Sequence, residues 1–156
     1  MNLLILVAVS AVPSSQWQHY AHSGSIADIL AREGGVVCAT TGGVAFGSIR
    51  EGLTTWDSTW VYPGDLSHSN CRCLASAEDG SVWIGTWGGG IDVFQPDGDF
   101  VHFGQLEGLP ISQRISAILP DTAIYAGTTE GLAIMLYGYF QTWTELNTGG
   151  GLSDDI

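Results

Sequence analysis

The chain has 156 residues, the length of one ordinary domain. It contains 16 acidic residues but only four arginines and no lysine, so that its formal net charge is −12. This charge argues against nucleic-acid binding through phosphates, which needs clustered cations, and against docking to an anionic membrane surface. Hydrophobic residues make up 45% of the chain, which excludes a disordered acidic polypeptide, and the 22 glycines with six Trp, five Tyr and five Phe favour short strands joined by tight turns.

The N-terminus has the pattern of an export signal. Residues 3–12 are apolar apart from Ser10, and small residues with Pro13 follow them. This predicts a signal peptide over residues 1–13 and a periplasmic or extracellular location, although no Lys or Arg precedes the apolar core. The run is too short to span a bilayer, and no membrane span is predicted after it. A buried first strand is the alternative.

The three cysteines are predicted to be small buried thiols. Cys71 and Cys73 lie two apart on one predicted strand, about 6.5–7 Å from each other, which is at or beyond disulfide reach. With Cys38 the number is odd. Burial as apolar side chains is therefore favoured over a disulfide framework or a metal site.

The sequence repeats one pattern three times, a β-rich run, a Thr, a Gly-containing turn and a second apolar run, at residues 36–44, 82–91 and 124–132. A short apolar strand precedes each copy, and an apolar-x-x-aromatic segment follows it, ending at Trp56, Phe103 and Trp143. The predicted strands are therefore 26–30, 36–40, 43–47 and 53–57; 71–75, 82–86, 90–94 and 100–103; and 115–119, 123–128, 131–136 and 139–144. Four strands in about 40 residues is the period of a β-propeller blade.

These repeats predict an all-β fold, a β-propeller segment of about three four-stranded antiparallel blades over units 26–57, 71–103 and 115–144. Within the predicted partial propeller, residues 14–156, the segment 17–20 resembles the outer strand of a ring-closing blade, and residues 151–156 resemble the start of a further blade. Three blades leave the ring incomplete, since closed propellers use roughly four to eight. The remaining blades are expected from a missing C-terminal part of a longer chain or from self-association.

Two stretches carry a family resemblance. Asp79-Gly80-Ser81-Val82-Trp83-Ile84-Gly85-Thr86-Trp87-Gly88-Gly89-Gly90-Ile91, together with Gly108-Leu109-Pro110 and the strand at 114–118, resembles the repeat of the two-component regulator propellers. The likeness extends over about residues 17–156. It weakens in the third unit, where Tyr125-Ala126-Gly127-Thr128 replaces Trp-Ile-Gly-Thr, and in the first, where Ala39 stands for the motif glycine.

The resemblance implies a function in recognition. Such propellers commonly form the periplasmic sensor region of hybrid histidine kinases, where they are associated with glycan sensing, and they also occur in secreted proteins without a kinase. This sequence contains no kinase motif. We therefore expect a non-catalytic recognition or sensor propeller that binds a glycan or a protein partner; the alternative is a structural or interaction module of a secreted protein.

An enzyme is the less favoured alternative. Residues 76–83 approach the S-x-D-x-G-x-x-W pattern of sialidase-like propellers, with Glu78 in place of Asp. That box marks a turn and performs no catalysis. A glycosidase needs two carboxylates across the scissile bond, and nothing distinguishes Asp92 or Glu130 among 16 acids. No catalytic residue, cofactor or metal site is predicted, since His19 and His22 are not spaced to share a strand face.

A ligand site, if present, is expected on one rim of the propeller. The turns between the second and third strands share that rim with the segments that join successive blades. It would carry Thr41, Trp87, Glu130, His68 and Arg114. Trp87 is the strongest candidate for a ligand contact, because it lies in a turn, outside the strand pattern, where an aromatic ring can stack on a sugar. The alternative is that Trp87 packs against a neighbouring blade.

Overall fold

The computed structural model describes residues 24–50 and 53–149 of the chain, which form three separate four-stranded antiparallel sheets. In each sheet the strands lie side by side in chain order, so that each sheet is one blade of a β-propeller. Blade 1 consists of β1 (Ile26–Arg32), β2 (Gly35–Thr40), β3 (Gly43–Arg50) and β4 (Leu53–Trp60). Blade 2 consists of β5 (Cys71–Ser76), β6 (Val82–Thr86), β7 (Ile91–Phe94) and β8 (Phe100–Phe103). Blade 3 consists of β9 (Ile115–Pro120), β10 (Ile124–Thr128), β11 (Gly131–Leu136) and β12 (Tyr139–Trp143).

Helical structure in the described residues is confined to two short turns. A 3-10 turn, Gln105–Glu107, lies between blades 2 and 3, and the helix α1, Glu145–Thr148, follows blade 3. In this part of the chain no helix has the length and apolar character needed to cross a bilayer.

The blades stack face to face through two hydrophobic cores. The innermost strand of each blade contacts the next one along the chain, β1 with β5 and β5 with β9. Between blades 1 and 2 lie buried aliphatic side chains from both sheets, among them Val37, Val44, Leu74, Val82 and Ile84. Between blades 2 and 3 a second core includes Trp83, Ile91, Ile115 and Phe140. Each sheet buries its apolar face against a neighbour, and this packing holds the arc of blades together.

Trp60 makes the aromatic contacts between blades 1 and 2, and Phe103 contacts Phe140 between blades 2 and 3. Trp83 is 8% exposed, stacks on Phe103 of its own blade with ring centroids 5.8 Å apart, and belongs to the core between blades 2 and 3. The ring centroid of Trp60 in blade 1 lies 4.5 Å from that of Phe94 and 4.9 Å from that of Phe100, both in blade 2. It lies 4.1 Å from the ring centroid of Phe46 in its own sheet.

The three inner strands have the same irregularity. In each blade the pairing of the first and second strands shifts near the same end, between Ile26 and Asp28, between Cys71 and Cys73, and opposite Gly127 and Thr128. A bulge at this point adds one residue to the inner strand and changes the direction of its side chain. In blade 2 that additional residue is Arg72.

All 12 predicted strands are present, and the predicted fold class is confirmed. One alignment was wrong. The strand register pairs Ile91 with Phe103 and Leu132 with Trp143, but in blade 1 it pairs Val44 with Trp60. Trp60, not Trp56, is thus the equivalent of Phe103, because β4 extends three residues beyond the predicted end at 57.

The cysteines are buried thiols, as predicted. Cys38, Cys71 and Cys73 are free and between 0% and 6% exposed. Burial raises the pKa of Cys71 and that of Cys73 to about 12. The predicted signal peptide at 1–13, the outer strand at 17–20 and the further blade at 151–156 lie outside the described residues, as do His19 and His22.

Candidate functional site

The upper rim of the arc is built from three turns with the same chemistry. It consists of the β2–β3, β6–β7 and β10–β11 turns and of the linkers 61–70 and 104–114. In each turn a Thr hydroxyl at the end of the second strand donates to a glycine carbonyl at 2.8–2.9 Å and accepts a backbone N–H at 3.0–3.1 Å. The threonines are Thr40, Thr86 and Thr128. Each hydroxyl closes its own turn, and the β6–β7 turn, which carries Trp87, is one residue longer than the other two.

Trp87 is held on this rim by its backbone. Its N–H donates to the Asn70 carbonyl at 2.8 Å, and the N–H groups of Gly88 and Gly90 both donate to the Gln113 carbonyl at 3.0 Å. The β6–β7 turn is thereby fastened to both linkers. Gly90 has a φ of +84°, and a Cβ at this position would overlap the Phe103 carbonyl, so only glycine fits there.

Two arginines converge on the half-buried indole of Trp87. The guanidinium carbon Cζ of Arg72 lies 5.1 Å from the ring centroid, and Cζ of Arg114 lies 5.6 Å from it. Both distances are within cation–π range, where an exposed contact contributes about 0.5–1 kcal/mol. Arg114 was predicted at this site. Arg72 was not, because its place in a strand pattern gave no sign that a bulge directs it to the rim.

Glu130 is fixed on the same rim, beside the linker 104–114. Its carboxylate Oε1 accepts the N–H of Ser112 at 3.0 Å, and the hydroxyl groups of Ser112 and Thr129 lie 3.1 Å apart. The hydrogen bonds from Ser112 lower the pKa of Glu130 below its ordinary value. Glu130 is therefore an anion that orders the linker before β9.

His68 also contacts the β6–β7 turn. Its ring atom Nδ1 accepts the N–H of Asn70 at 3.0 Å, and a Cβ built on Gly88 would lie 3.6 Å from its Nε2. Thr41 lies apart: its N–H donates to the Ser25 carbonyl at 3.2 Å, and within the described residues no hydrogen bond or ring contact joins it to the other four. The structure thus brings Arg114 and His68 to the β6–β7 turn that carries Trp87, whereas Glu130 bonds to the linker 104–114 and Thr41 lies on blade 1.

A second polar cluster, which the sequence did not indicate, lies just inside the upper rim. Asp92 is 3% exposed, and its carboxylate accepts the N–H of Ser67 at 3.0 Å and the Ser67 hydroxyl at 2.9 Å. The other oxygen lies 3.1 Å from Nδ1 of His102. The hydrogen bond to Asp92 raises the pKa of His102, although partial burial opposes this. Asp92 thereby fastens the linker 61–70 to blade 2.

The Asp-box-like turn lies at the opposite end of the blades. Asp79 Oδ1 accepts the N–H of Ser81 at 2.9 Å, and the Ser81 hydroxyl accepts the indole N–H of Trp83 at 3.1 Å. The residues of the turn bond to one another, as expected for a structural element. Beside it lies an open cavity of about 330 Å³, lined in part by Glu78, Asp79 and Asp121. In residues 24–50 and 53–149, no group of three or more His, Cys, Asp or Glu side chains could hold a metal ion.

Residues 65–88 match the family model described as the two component regulator propeller. The predicted resemblance to this family is confirmed. The match spans β5, β6 and the start of the β6–β7 turn, and so includes His68, Arg72 and Trp87 of the rim.

Solved structures support the propeller fold. Two structures of the extracellular domain of BT4673 from B. thetaiotaomicron, named in one as a one component system and in the other as a hybrid two component system, each cover 81% of this chain. Their TM-scores are 0.64 and 0.63, and their sequence identities are 14% and 21%. Virginiamycin B lyase from Staphylococcus aureus covers 74% of the chain with a TM-score of 0.55 and 15% identity.

These similarities show the fold alone. The chain spans only 18% and 17% of the length of the BT4673 structures and 40% of the lyase. No curated protein matches it. Because an extracellular domain and a lyase share the architecture, function has to be argued from the site.

Proposed function

We propose that this chain is part of a non-catalytic recognition propeller presented outside the cytoplasm, and that its upper rim binds a glycan. The observation that carries the proposal is the cluster around Trp87, with Arg72, Arg114 and His68 on one rim. Indole, guanidinium and imidazole groups at a surface suit the faces and hydroxyl groups of a sugar. The family match supports a sensor or interaction module, because it falls on this same segment.

A location outside the cytoplasm is supported by two independent points. Residues 1–13 have the pattern of a signal peptide. The BT4673 structures are described as extracellular domains. Mass spectrometry of the secreted or periplasmic fraction should find a mature N-terminus close to residue 14, and a mature protein that retains Met1 would contradict export by cleavage.

The absence of catalysis is proposed from the roles of the acidic side chains. Asp92 is almost fully buried and accepts bonds from Ser67 and His102, so it serves the fold. Glu130 orders the linker before β9 through Ser112. In the described part of the chain both carboxylates bond to Ser67, His102 or Ser112, so we assign them to the fold and not to the carboxylate pair that glycoside hydrolysis requires.

The glycan proposal is tested with the full chain and a panel of plant, bacterial and host oligosaccharides. Trp87→Ala should abolish binding without loss of the β-sheet circular dichroism spectrum, because the backbone bonds that hold the turn remain. Tyr139→Ala is a matched control, since Tyr139 is 64% exposed and begins β12 at the opposite end of the blade. Unchanged binding by Trp87→Ala, loss of its fold, or no binding of any glycan by the wild-type chain would refute the proposal.

A protein partner is the second candidate, and one observation favours it. Leu106 and Ile111 lie in the rim linker 104–114 and are 90% and 77% exposed. Exposed large apolar side chains on one linker are typical of a docking surface. If a protein is the ligand, the double variant Leu106→Ser/Ile111→Ser should lose its partner in a pull-down, while Trp87→Ala retains it.

A further inference from the structure

The pair of arginines at Trp87 is unusual for so acidic a chain. Sixteen acidic residues accompany only four arginines, yet two of the four meet at one indole ring. Across the described residues, neither guanidinium group donates a hydrogen bond or lies within ion-pair distance of a carboxylate; the ion pair found there joins His102 to Asp92. Their planar donor groups are thus available to a ligand.

The backbone places both arginines beside the indole. Arg72 is the bulge residue of β5, and the equivalent residues of the other inner strands are Ala27 and Ser116, which are uncharged. Arg114 forms an isolated β-bridge with Trp87 itself. The cationic pair therefore belongs to the blade 2–blade 3 junction and is not part of the repeated scaffold.

The position of the arginines changes the role expected for Trp87. Guanidinium groups already lie over its ring, so the indole orients two cations. The groups left for a ligand are the N–H forks of Arg72 and Arg114. Such forks match the two oxygens of a carboxylate in geometry and in charge.

We propose that the Arg72–Arg114 pair binds the carboxylate of an acidic sugar, so that the ligand class is a glycan containing uronic acid, with Trp87 as a positioning residue. This inference rests on the glycan-binding function proposed above. The net charge of −12 favours a ligand with few carboxylates, because a polyanion would be repelled by the rest of the surface. His68 and the hydroxyl group of Ser112, close by on the rim, suit neutral sugar hydroxyls.

The test uses the full chain and matched pairs of disaccharides. In the acidic member of each pair C6 is a carboxylate, and in the neutral member it is a hydroxymethyl group. In calorimetric titration the acidic member should bind at least about tenfold more tightly, as expected for a charge-assisted bidentate contact. Arg72→Gln and Arg114→Gln should each remove the preference, and raising NaCl from about 50 to about 500 mM should weaken it. Trp87→Phe, which keeps an aromatic ring, should retain the preference that Trp87→Ala loses.

Arg32→Gln is the matched control. Arg32 is an exposed arginine at the far end of β1, where it donates to the Gly80 carbonyl at 3.5 Å, and its replacement should leave the preference unchanged. Equal binding of the acidic and neutral members, or a preference that persists in Arg114→Gln, would overturn the inference and leave the glycan function standing. If no saccharide of any pair binds, or only an acidic peptide does, the glycan function falls as well.

Discussion

Gly85 is the position where one added methyl group tests the blade packing most directly. It lies in β6, opposite Cys73. A Cβ there would overlap Cys73 Sγ and lie 2.7 Å from Cγ2 and 3.0 Å from Cβ of Ile115, the first residue of blade 3. Neither Gly85 nor its equivalent in blade 3, Gly127, has a positive φ, so alanine is compatible with the backbone at both. The cost of Gly85→Ala is therefore steric.

The magnitude follows from two opposing contributions. Adding a methyl group to a packed core destabilises the folded protein by about 1–3 kcal/mol. Replacing a strand glycine by alanine stabilises it by about 0.5–1 kcal/mol, because alanine has less conformational freedom than glycine in the unfolded chain. Gly85→Ala should lower the free energy of unfolding by about 1.3 kcal/mol. At Gly127 the nearest atoms are Ser116 Oγ at 3.2 Å and Ala117 Cβ at 3.5 Å, so Gly127→Ala should be near neutral or slightly stabilising.

Urea unfolding followed by tryptophan fluorescence would compare the two variants at the same protein concentration. The double variant Gly85→Ala/Cys73→Ala should recover part of the loss, since removal of Cys73 Sγ opens space for the new methyl group. Equal effects of Gly85→Ala and Gly127→Ala would refute this reasoning, because they would show that blade 3 does not press on Gly85. A strictly additive double variant would also contradict it.

Three further results are expected. In urea unfolding, His102→Gln should destabilise the protein most near about pH 5.5 and least near about pH 8.5. The pKa of His102 is raised in the folded state, so protonated His102 stabilises the fold below its ordinary pKa of about 6.5, and this contribution is lost as the pH rises through the folded pKa. A destabilisation that grows with pH would contradict the Asp92 contact. Cys71 and Cys73, with pKa values raised to about 12, should resist iodoacetamide at pH 8 in the native protein and react rapidly in urea, as mass spectrometry would show; rapid native labelling would argue against their burial. Trp60→Ala should cost about 3 kcal/mol of unfolding free energy by removing the ring contacts between blades 1 and 2, and a loss below about 1 kcal/mol would contradict that packing.

The strands could be predicted because the same four-strand pattern occurs three times. The Thr that ends each second strand and the glycine that follows mark the same turn in every blade, and they fixed the predicted boundaries to within a few residues. The first blade was less certain because its repeat is irregular. Both Trp56 and Trp60 fit an aromatic at the end of the outer strand, and only the register with Val44 decides between them.

The site was predicted in part. Turn and linker residues such as Trp87 and Arg114 could be assigned to one rim from blade topology alone. Arg72 could not, because a bulge is a departure from strand alternation and leaves no sign in the residue types around it. The cluster at Asp92 was missed for another reason: its partners, Ser67 and His102, lie 25 and 10 residues away in the chain, so only the fold brings them together.

The complete burial of β6 has a consequence for local stability. All five of its residues are buried, with blade 1 on one side of the sheet and blade 3 on the other. In a repeat protein each unit is stabilised mainly by its immediate neighbours, so the middle unit is the last to open. Amide hydrogens of β6 should therefore exchange with solvent more slowly than those of β2 and β10. The turn that carries Trp87 begins directly at the end of β6, so the proposed ligand site is anchored to a strand that we expect to open later than its counterparts in blades 1 and 3.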